Sequence, residues 1–503
     1  MKIPDFPQDI QDYLLPTPGG DLGYECLRCG ERFSPDRLLY VCPSCGGLLL
    51  LEDRAAGRLS EKPGSFWRKL FDYRLLLNDQ ALKGVFAFHE FLAPLIPLED
   101  IVYLGEGHTP AVAAPPALEA EVGAPFYVKL DGLNPSASFK DRGMAAALSH
   151  LKYLLRTQNL ESMMAVCAST GDTSAAAALY GASLGGKIKS AVLLPKGLVT
   201  PQQLSQPLGA GARVFELPGV FDDAMKVVER LSEDYQVALL NSKNPWRILG
   251  QESYAFEVAR QFDYETDNLV LFAPVGNAGN ITAILGGLLK FYARKLIAKL
   301  PKVVAVQSER ANPVFLYYNE PPQSRVYRPV TVGLSVAQAA MIGDPVSFPR
   351  LQKLAEIYLR EGGGDAFAAI QVTEEEIMEA TLQANRRGLT VCTQGGESLA
   401  GFKAYTREGK LAPGEVGVLD STAHALKFME FQNAYFASKL KEDYGVTSKE
   451  EYINAPRSLE SLGTKIPSAQ SPLNPEERAR YAKAAARRIA ATLGLAPAGK
   501  AGT

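Results

Sequence analysis

From residue 111 to about 435 the chain repeats one alternation: a short apolar run, a turn of small residues, then a longer Ala- or Leu-rich stretch. "SMMAVCAST" precedes "TSAAAALYGASLG", and "KSAVLLP" precedes "TPQQLSQPLGAG" and the run "ARVFELPG". "NLVLFAPVGNAGN" opens into "ITAILGGLLKFYARKL", while "KVVAVQSE" and "VGVLDST" read as further strands. Strands separated by long helical stretches predict a mostly parallel sheet with both faces covered. Ligands bind such sheets beyond the carboxyl ends of the strands, where the small-residue turns of this chain fall.

The flanking sequence is organised differently. Residues 1–55 hold four cysteines between short β-like runs, "RLLYVC" and "GLLLLED". Residues 56–110 read as a helical connecting segment with aromatic positions at Phe66, Trp67, Phe71 and Tyr73. Residues 436–503 form an extension: a loop-like "NAPRSLESLGTKIPSAQSPLNP", then a helix with Asn474 as cap, Pro475 at its first position and acids in its first turn.

Composition narrows the function classes. Hydrophobic residues make up 47% and charged residues 21% of 503, enough apolar surface for several cores. The 53 basic and 55 acidic residues nearly cancel, leaving no general field to attract nucleic acid or anionic lipid. No apolar run approaches the roughly 18 residues of a membrane span. The acids and prolines of "MKIPDFPQDIQDYLLPTPGG" are unlike a signal peptide, so a cytoplasmic protein is expected.

Cys26, Cys29, Cys42 and Cys45 have the spacing C-x2-C-x12-C-x2-C, with Gly30 and Gly46 after each pair. Two such knuckles can aim four thiolates at one tetrahedral Zn2+, and a closed set of four leaves no position for water, so the metal would be structural. Four reduced, unliganded cysteines are the alternative. "GNAGN" (276–280) and "ASTGDTSAAAA" (168–178) each stand between a strand and a helix, where backbone N–H groups can hold an anion; a tight turn and an N-capped core helix are the plainer readings. Lys140, in "NPSASFKDRG", follows a turn and an aromatic residue. An amine that attacks a carbonyl needs partial desolvation, whereas most lysines are solvated.

Together and in this order, "GEGHTP", "NPSASFKDRG", "CASTGDTSAAA", "NSKNPWRILGQ", "PVGNAGNI", "IGDPVSFPR" and "STAHALKF" resemble the threonine synthase family of pyridoxal-phosphate enzymes, over about residues 100–430. The resemblance implies fold type II: two three-layer α/β domains, the smaller near 145–245, preceded by a zinc-ribbon-like module. It implies Lys140 as the covalent anchor of pyridoxal phosphate with Phe139 beside it, Asp172 toward the cofactor's phenolic oxygen, and Thr422 toward its ring nitrogen. Gly276, Asn277, Ala278, Gly279 and Asn280 would hold the cofactor phosphate. Ser169, Thr170 and Thr173 would take the substrate carboxylate, and Asn241, Ser242 and Arg247 the substrate phosphate. The family's arrangement as homodimers is expected too.

The implied reaction turns O-phospho-L-homoserine and water into L-threonine and phosphate, by elimination at Cγ and addition of water at Cβ. A replacement enzyme acting on O-phosphoserine, or a threonine or serine dehydratase, is the neighbouring alternative; an inactive zinc-ribbon binding protein is the distant one. Ser136-Ala137, Glu397, Ala425 and the sequence "AQAAMIGDP" depart from the family pattern, and they bear on substrate identity more than on the cofactor site.

Overall fold

The computed structural model describes the chain except Thr170, Leu198, Val220, Gln236, Glu460, Ala469, residues 496–503 and the side chains of Phe221 and Asp222. It divides into two units, Met1–Ser448 and Lys449–Thr503. The first holds three sheets. β1 (Leu22–Cys26), β2 (Arg32–Phe33) and β3 (Leu49–Asp53) form a small antiparallel sheet in the order β2-β1-β3. The expected strand "RLLYVC" is not formed. Val41 makes a single bridge to Leu48, because the amide of Cys42 turns back to Gly47 to build the second cysteine knuckle.

The next strands are β4 (Ala111–Ala113), β5 (Phe126–Leu130), β6 (Met163–Ala168), β7 (Ile188–Pro195), β8 (Arg213–Leu217) and β9 (Ala238–Leu239). They are followed by β10 (Leu269–Pro274), β11 (Lys302–Ser308), β12 (Phe367–Val372) and β13 (Val416–Ser421). Four of them make the parallel sheet β8-β7-β6-β9. Six make the sheet β12-β11-β10-β13-β5-β4, parallel but for its edge strand β4.

Both parallel sheets are three-layered, and the pleat shows it. In β6, Ala165 and Cys167 join Ala176, Ala177 and Tyr180 of the helix Asp172–Ala182 on one face. Val166 and Ala168 join Ala224, Met225 and Val228 of the helix Phe221–Tyr235 on the other. In β10, Leu271 and Ala273 enter the main core, while Phe272 meets Phe402 of the helix Thr393–Arg407 at 5.3 Å. The segment 56–110 is anchored by aromatic packing, with Phe71 stacked 6.1 Å from Phe291 and Phe91 5.5 Å from it. Phe291 lies on the helix Gly279–Ala293, so this segment braces the helix that leaves the GNAGN turn.

In the second unit the helix Pro475–Leu493 starts where the sequence indicates. The Asn474 side chain accepts from the Glu477 amide, Glu477 returns a bond to the Asn474 amide, and Gly494 closes the end at φ 65°. Among the described residues, no helix is long and apolar enough to cross a membrane.

Candidate active site

Three strand ends converge on one cavity. β6 leads into Ser169, β10 into the GNAGN turn and β13 into Thr422, and residues from all three line it with Phe139, Lys140, Asp172, Thr173, Asn241, Ser242 and Arg247. Every described residue that the sequence assigned to cofactor or substrate lines this cavity; Thr170 lies outside the described residues.

Lys140 begins the helix Lys140–Thr157, and its Nζ stands 3.9 Å from the centre of the Phe139 ring. The turn before it is pinned by the Phe139 amide donating to the Thr422 carbonyl at 2.8 Å. Burial, reinforced by the positive charge of Arg247, brings the Lys140 ammonium down to about 7. The amine is therefore neutral about half the time near that pH, as a nucleophile or proton acceptor requires.

In the GNAGN loop, Ala278 adopts the left-handed conformation (φ 58°) and starts the helix Gly279–Ala293. The first N–H groups of that helix, with its positive end, face the cavity. A Cβ on Gly276 would sit 3.0 Å from the Ala340 backbone, tighter than an ordinary contact, so a side chain there would press on that backbone. The loop is braced from behind, where the Ser347 amide donates to the Asn277 carbonyl at 3.1 Å. Asn280 donates to Asp420 at 2.8 Å, and its own Oδ1 is buried without a partner.

The start of the helix Asp172–Ala182 is built around Ser169. Its hydroxyl accepts from the Gly171 amide (2.8 Å) and the Ser174 amide (3.1 Å), which leaves its proton to donate into the cavity. Asp172 accepts from Gln203 at 3.1 Å and from the buried Lys427 at 2.9 Å. Lys427 and Gln203 were not singled out from the sequence. Nor was Asp420, whose carboxyl burial and the nearby Asp131 push well above the usual range.

Arg247 is a poorly satisfied cation. It is 2% exposed and donates to the Leu240 carbonyl at 3.1 Å; its Nε has no partner, and no carboxylate pairs with it among the described residues. Burial brings even its guanidinium down to about 10. Asn241 is differently engaged: its Oδ1 accepts from the Ala168 amide (2.8 Å) and its Nδ2 donates back to the Ala168 carbonyl, tying the segment to β6. The Ser242 carbonyl accepts from Arg350 at 2.7 Å, and the same guanidinium donates to Lys243 (2.7 Å) and to Leu49 of β3 (2.8 Å). Glu397, one turn beyond the cavity-lining Gln394, does not line the cavity itself.

The four cysteines form a separate cluster. Their sulfurs all lie within 4.8 Å of one another, with Cys26–Cys45 and Cys29–Cys45 at 3.5 Å and Cys29–Cys42 at 3.7 Å. These separations are too long for disulfides and match the edge of about 3.8 Å that a tetrahedron with Zn–S bonds near 2.3 Å requires. A Cβ on Gly47 would stand 2.8 Å from the Cys26 sulfur, so a glycine is needed beside the cluster.

Comparison with known proteins gives the same picture. Residues 102–421 match the family described as pyridoxal-phosphate dependent enzyme. A threonine synthase of Methanocaldococcus jannaschii is 35% identical over 411 residues, 80% of this chain and 92% of that protein. Chloroplastic threonine synthase 2 of Arabidopsis thaliana is 33% identical over 419 residues, 82% of this chain and 78% of that one. The crystal structure of Escherichia coli threonine synthase, 22% identical, superposes with a TM-score of 0.59 over 86% of this chain and 93% of that one.

Proposed function

The chain belongs to the pyridoxal-phosphate-dependent enzymes, in their threonine synthase family, and from that premise we propose that it converts O-phospho-L-homoserine and water to L-threonine and phosphate. The observation that carries the substrate is Arg247: a buried guanidinium without an anion, in the same cavity as a half-neutral lysine. Burying an uncompensated charge is costly, and a phosphate arriving with the substrate relieves that cost through a bidentate contact.

The residues fit the cofactor. The loop Gly276–Asn280 supplies amides without side-chain obstruction for its phosphate, Lys140 a neutral amine for covalent attachment, and Phe139 an apolar wall. Thr422 would offer the ring nitrogen a neutral hydroxyl, and Asp172, held by Lys427 and Gln203, would face the phenolic oxygen. Bound pyridoxal phosphate supplies the electron sink that makes carbon-bound protons of the substrate acidic.

The protein's own groups do the rest. Ser169 and Thr173 orient the substrate carboxylate at a helix start. The Lys140 amine takes the Cα proton and then a Cβ proton, and returns protons at Cγ and Cα, while the spare proton of the added water goes to the departed phosphate. Arg247 and Ser242 hold the phosphate while the Cγ–O bond breaks and the phosphate departs with the bonding electrons. Water then adds its oxygen at Cβ. Asn241, whose amide is committed to Ala168, acts by fixing the segment and by its remaining N–H.

The cysteine cluster fits one structural Zn2+ held by Cys26, Cys29, Cys42 and Cys45. Product analysis tests the reading directly. Threonine and phosphate are expected from O-phosphohomoserine, with no turnover of unphosphorylated threonine or serine; preferential turnover of O-phosphoserine would reassign the enzyme to β-replacement.

A further inference from the structure

A second cavity, of about 320 Å3, shares Ile248 with the first. Its walls come from β1 and β3 of the small sheet, from the segment 56–94, and from the helices Pro245–Gln251, Gly279–Ala293 and Phe348–Gly362. Most of the lining is aliphatic, including Leu22, Leu51, Leu289 and Leu354. The charges in it divide into two kinds. Lys290 is paired with Glu252 at 2.5 Å, and Glu90 and Asp53 are paired with Arg74 and Arg58. Glu52, exposed at the cavity mouth and within electrostatic reach of Lys290, and half-buried Arg294 also line the cavity, and neither makes a hydrogen bond or close ion pair among the described residues.

An apolar chamber with one free carboxylate and one free guanidinium fits a particular chemistry: an aliphatic body carrying an ammonium and a carboxylate. We propose that this cavity is a regulatory site for a small aliphatic amino acid, its ammonium on Glu52, its carboxylate on Arg294 and its side chain against the leucines. The link to the active site is one helix. Ile248 lines both cavities, and its neighbours alternate between them, with Arg247 and Gln251 on the active-site side and Glu252 on the other. A ligand packed against Ile248 therefore bears on the turn that carries Arg247, and the parameter it alters is the KM for the phosphorylated substrate.

Calorimetry on the holoenzyme is the test, with L-leucine as probe and two analogues, 4-methylpentanoate lacking the amine and 3-methylbutylamine lacking the carboxylate. L-Leucine should bind, and each analogue should bind at least about tenfold more weakly, since each strands one charged wall. Glu52→Gln and Arg294→Gln should weaken L-leucine to a similar degree, and Ala293→Trp, which fills the cavity from its rim, should abolish binding. All three should leave cofactor absorbance and basal turnover unchanged. Absence of binding by L-leucine, or binding that survives all three substitutions, overturns the proposal. The kinetic arm, a change in KM at constant kcat, rests on the reaction proposed above; the calorimetric arm does not, so failure of one is distinguishable from failure of the other.

Discussion

The loop Gly276–Asn280 and the segment Asn241–Arg247 face the same cavity with different means of holding an anion. The loop offers peptide N–H groups and the positive end of a 15-residue helix, and it carries no charged side chain. The segment offers one buried arginine that lacks a counter-charge. Peptide dipoles are fixed by the fold and cost little when empty, which suits a group that stays through many turnovers. An unpaired buried guanidinium is costly when empty, so it discriminates strongly for a substrate that brings a phosphate and against one that does not. Lys140 lines the same cavity, and Arg247 reaches it electrostatically by helping to depress its ammonium.

The largest break comes from removing that lysine. Lys140→Ala deletes both the covalent anchor and the proton acceptor, and kcat should fall by about 10^4. The amide loop should still hold the cofactor noncovalently, so retained cofactor without the imine absorbance band is the expected signature. The pH dependence sharpens the point. With an ammonium pulled down to about 7, attachment of added pyridoxal phosphate to cofactor-free protein should slow as pH falls below that value, because the protonated amine cannot attack. An attachment rate that stays flat from pH 8 to 5.5 would place the titration elsewhere.

Arg247→Ala should lower kcat/KM for O-phosphohomoserine by about 2–5 kcal/mol, roughly 30- to 5,000-fold, while cofactor affinity stays unchanged. Lysine should rescue in part, keeping the charge but losing the fork. The mirror experiment is Gly276→Ala, whose Cβ would press on the Ala340 backbone at 3.0 Å. Overpacking of about 1–3 kcal/mol should weaken the cofactor roughly 5- to 150-fold and leave KM for substrate nearly constant once the cofactor is saturating. If both variants lose cofactor and substrate in parallel, the two anion sites are not independent.

The parts of the site that were legible in the sequence are those written as contiguous motifs. GNAGN, SASFKD and NSKNPWR each follow or flank a strand, and the strand ends bring them together as the β/α alternation requires. What stayed hidden depends on long-range pairing. Lys427 meets Asp172 across 255 residues, and Arg350 joins Leu49 to Ser242 and Lys243, contacts that no local pattern encodes. β5 and β12 escaped notice because their mixed runs, "FYVKL" and "FAAIQV", lack the continuous apolar stretch of β10. Lys129, the fourth residue of β5, is buried because its ammonium is satisfied by Glu257 at 2.8 Å and by the Thr109 carbonyl. The strand "RLLYVC" failed for the opposite reason: its residues are β-like, but the knuckle geometry at Cys42 ends the extended run.

The smallest expected effect tests whether the cysteine module touches one anion site or both. Among the described residues, hydrogen bonds connect the module to the Arg247 segment. Arg350 bridges the Leu49 carbonyl to the carbonyls of Ser242 and Lys243, and Tyr24 of β1 accepts from the Trp246 indole at 3.0 Å. The GNAGN loop is braced by the amides of Ser347 and Val346, and Arg350 reaches it only indirectly, through the Ser347 hydroxyl at 3.3 Å, which also donates to the Ser242 carbonyl. Loosening the module by Cys42→Ser, or by stripping its metal with a chelator, should therefore raise KM for the phosphorylated substrate. Coupling through such packed networks is worth about 0.5–2 kcal/mol, a change of roughly 2- to 30-fold. Cofactor absorbance should stay constant through the same treatment. Metal analysis of the native protein should find one zinc per chain, falling as KM rises. Parallel loss of cofactor would mean that the module supports the whole cavity. An unchanged KM after complete metal loss would mean that Arg350 and Trp246 hold the Arg247 segment without help from the metal.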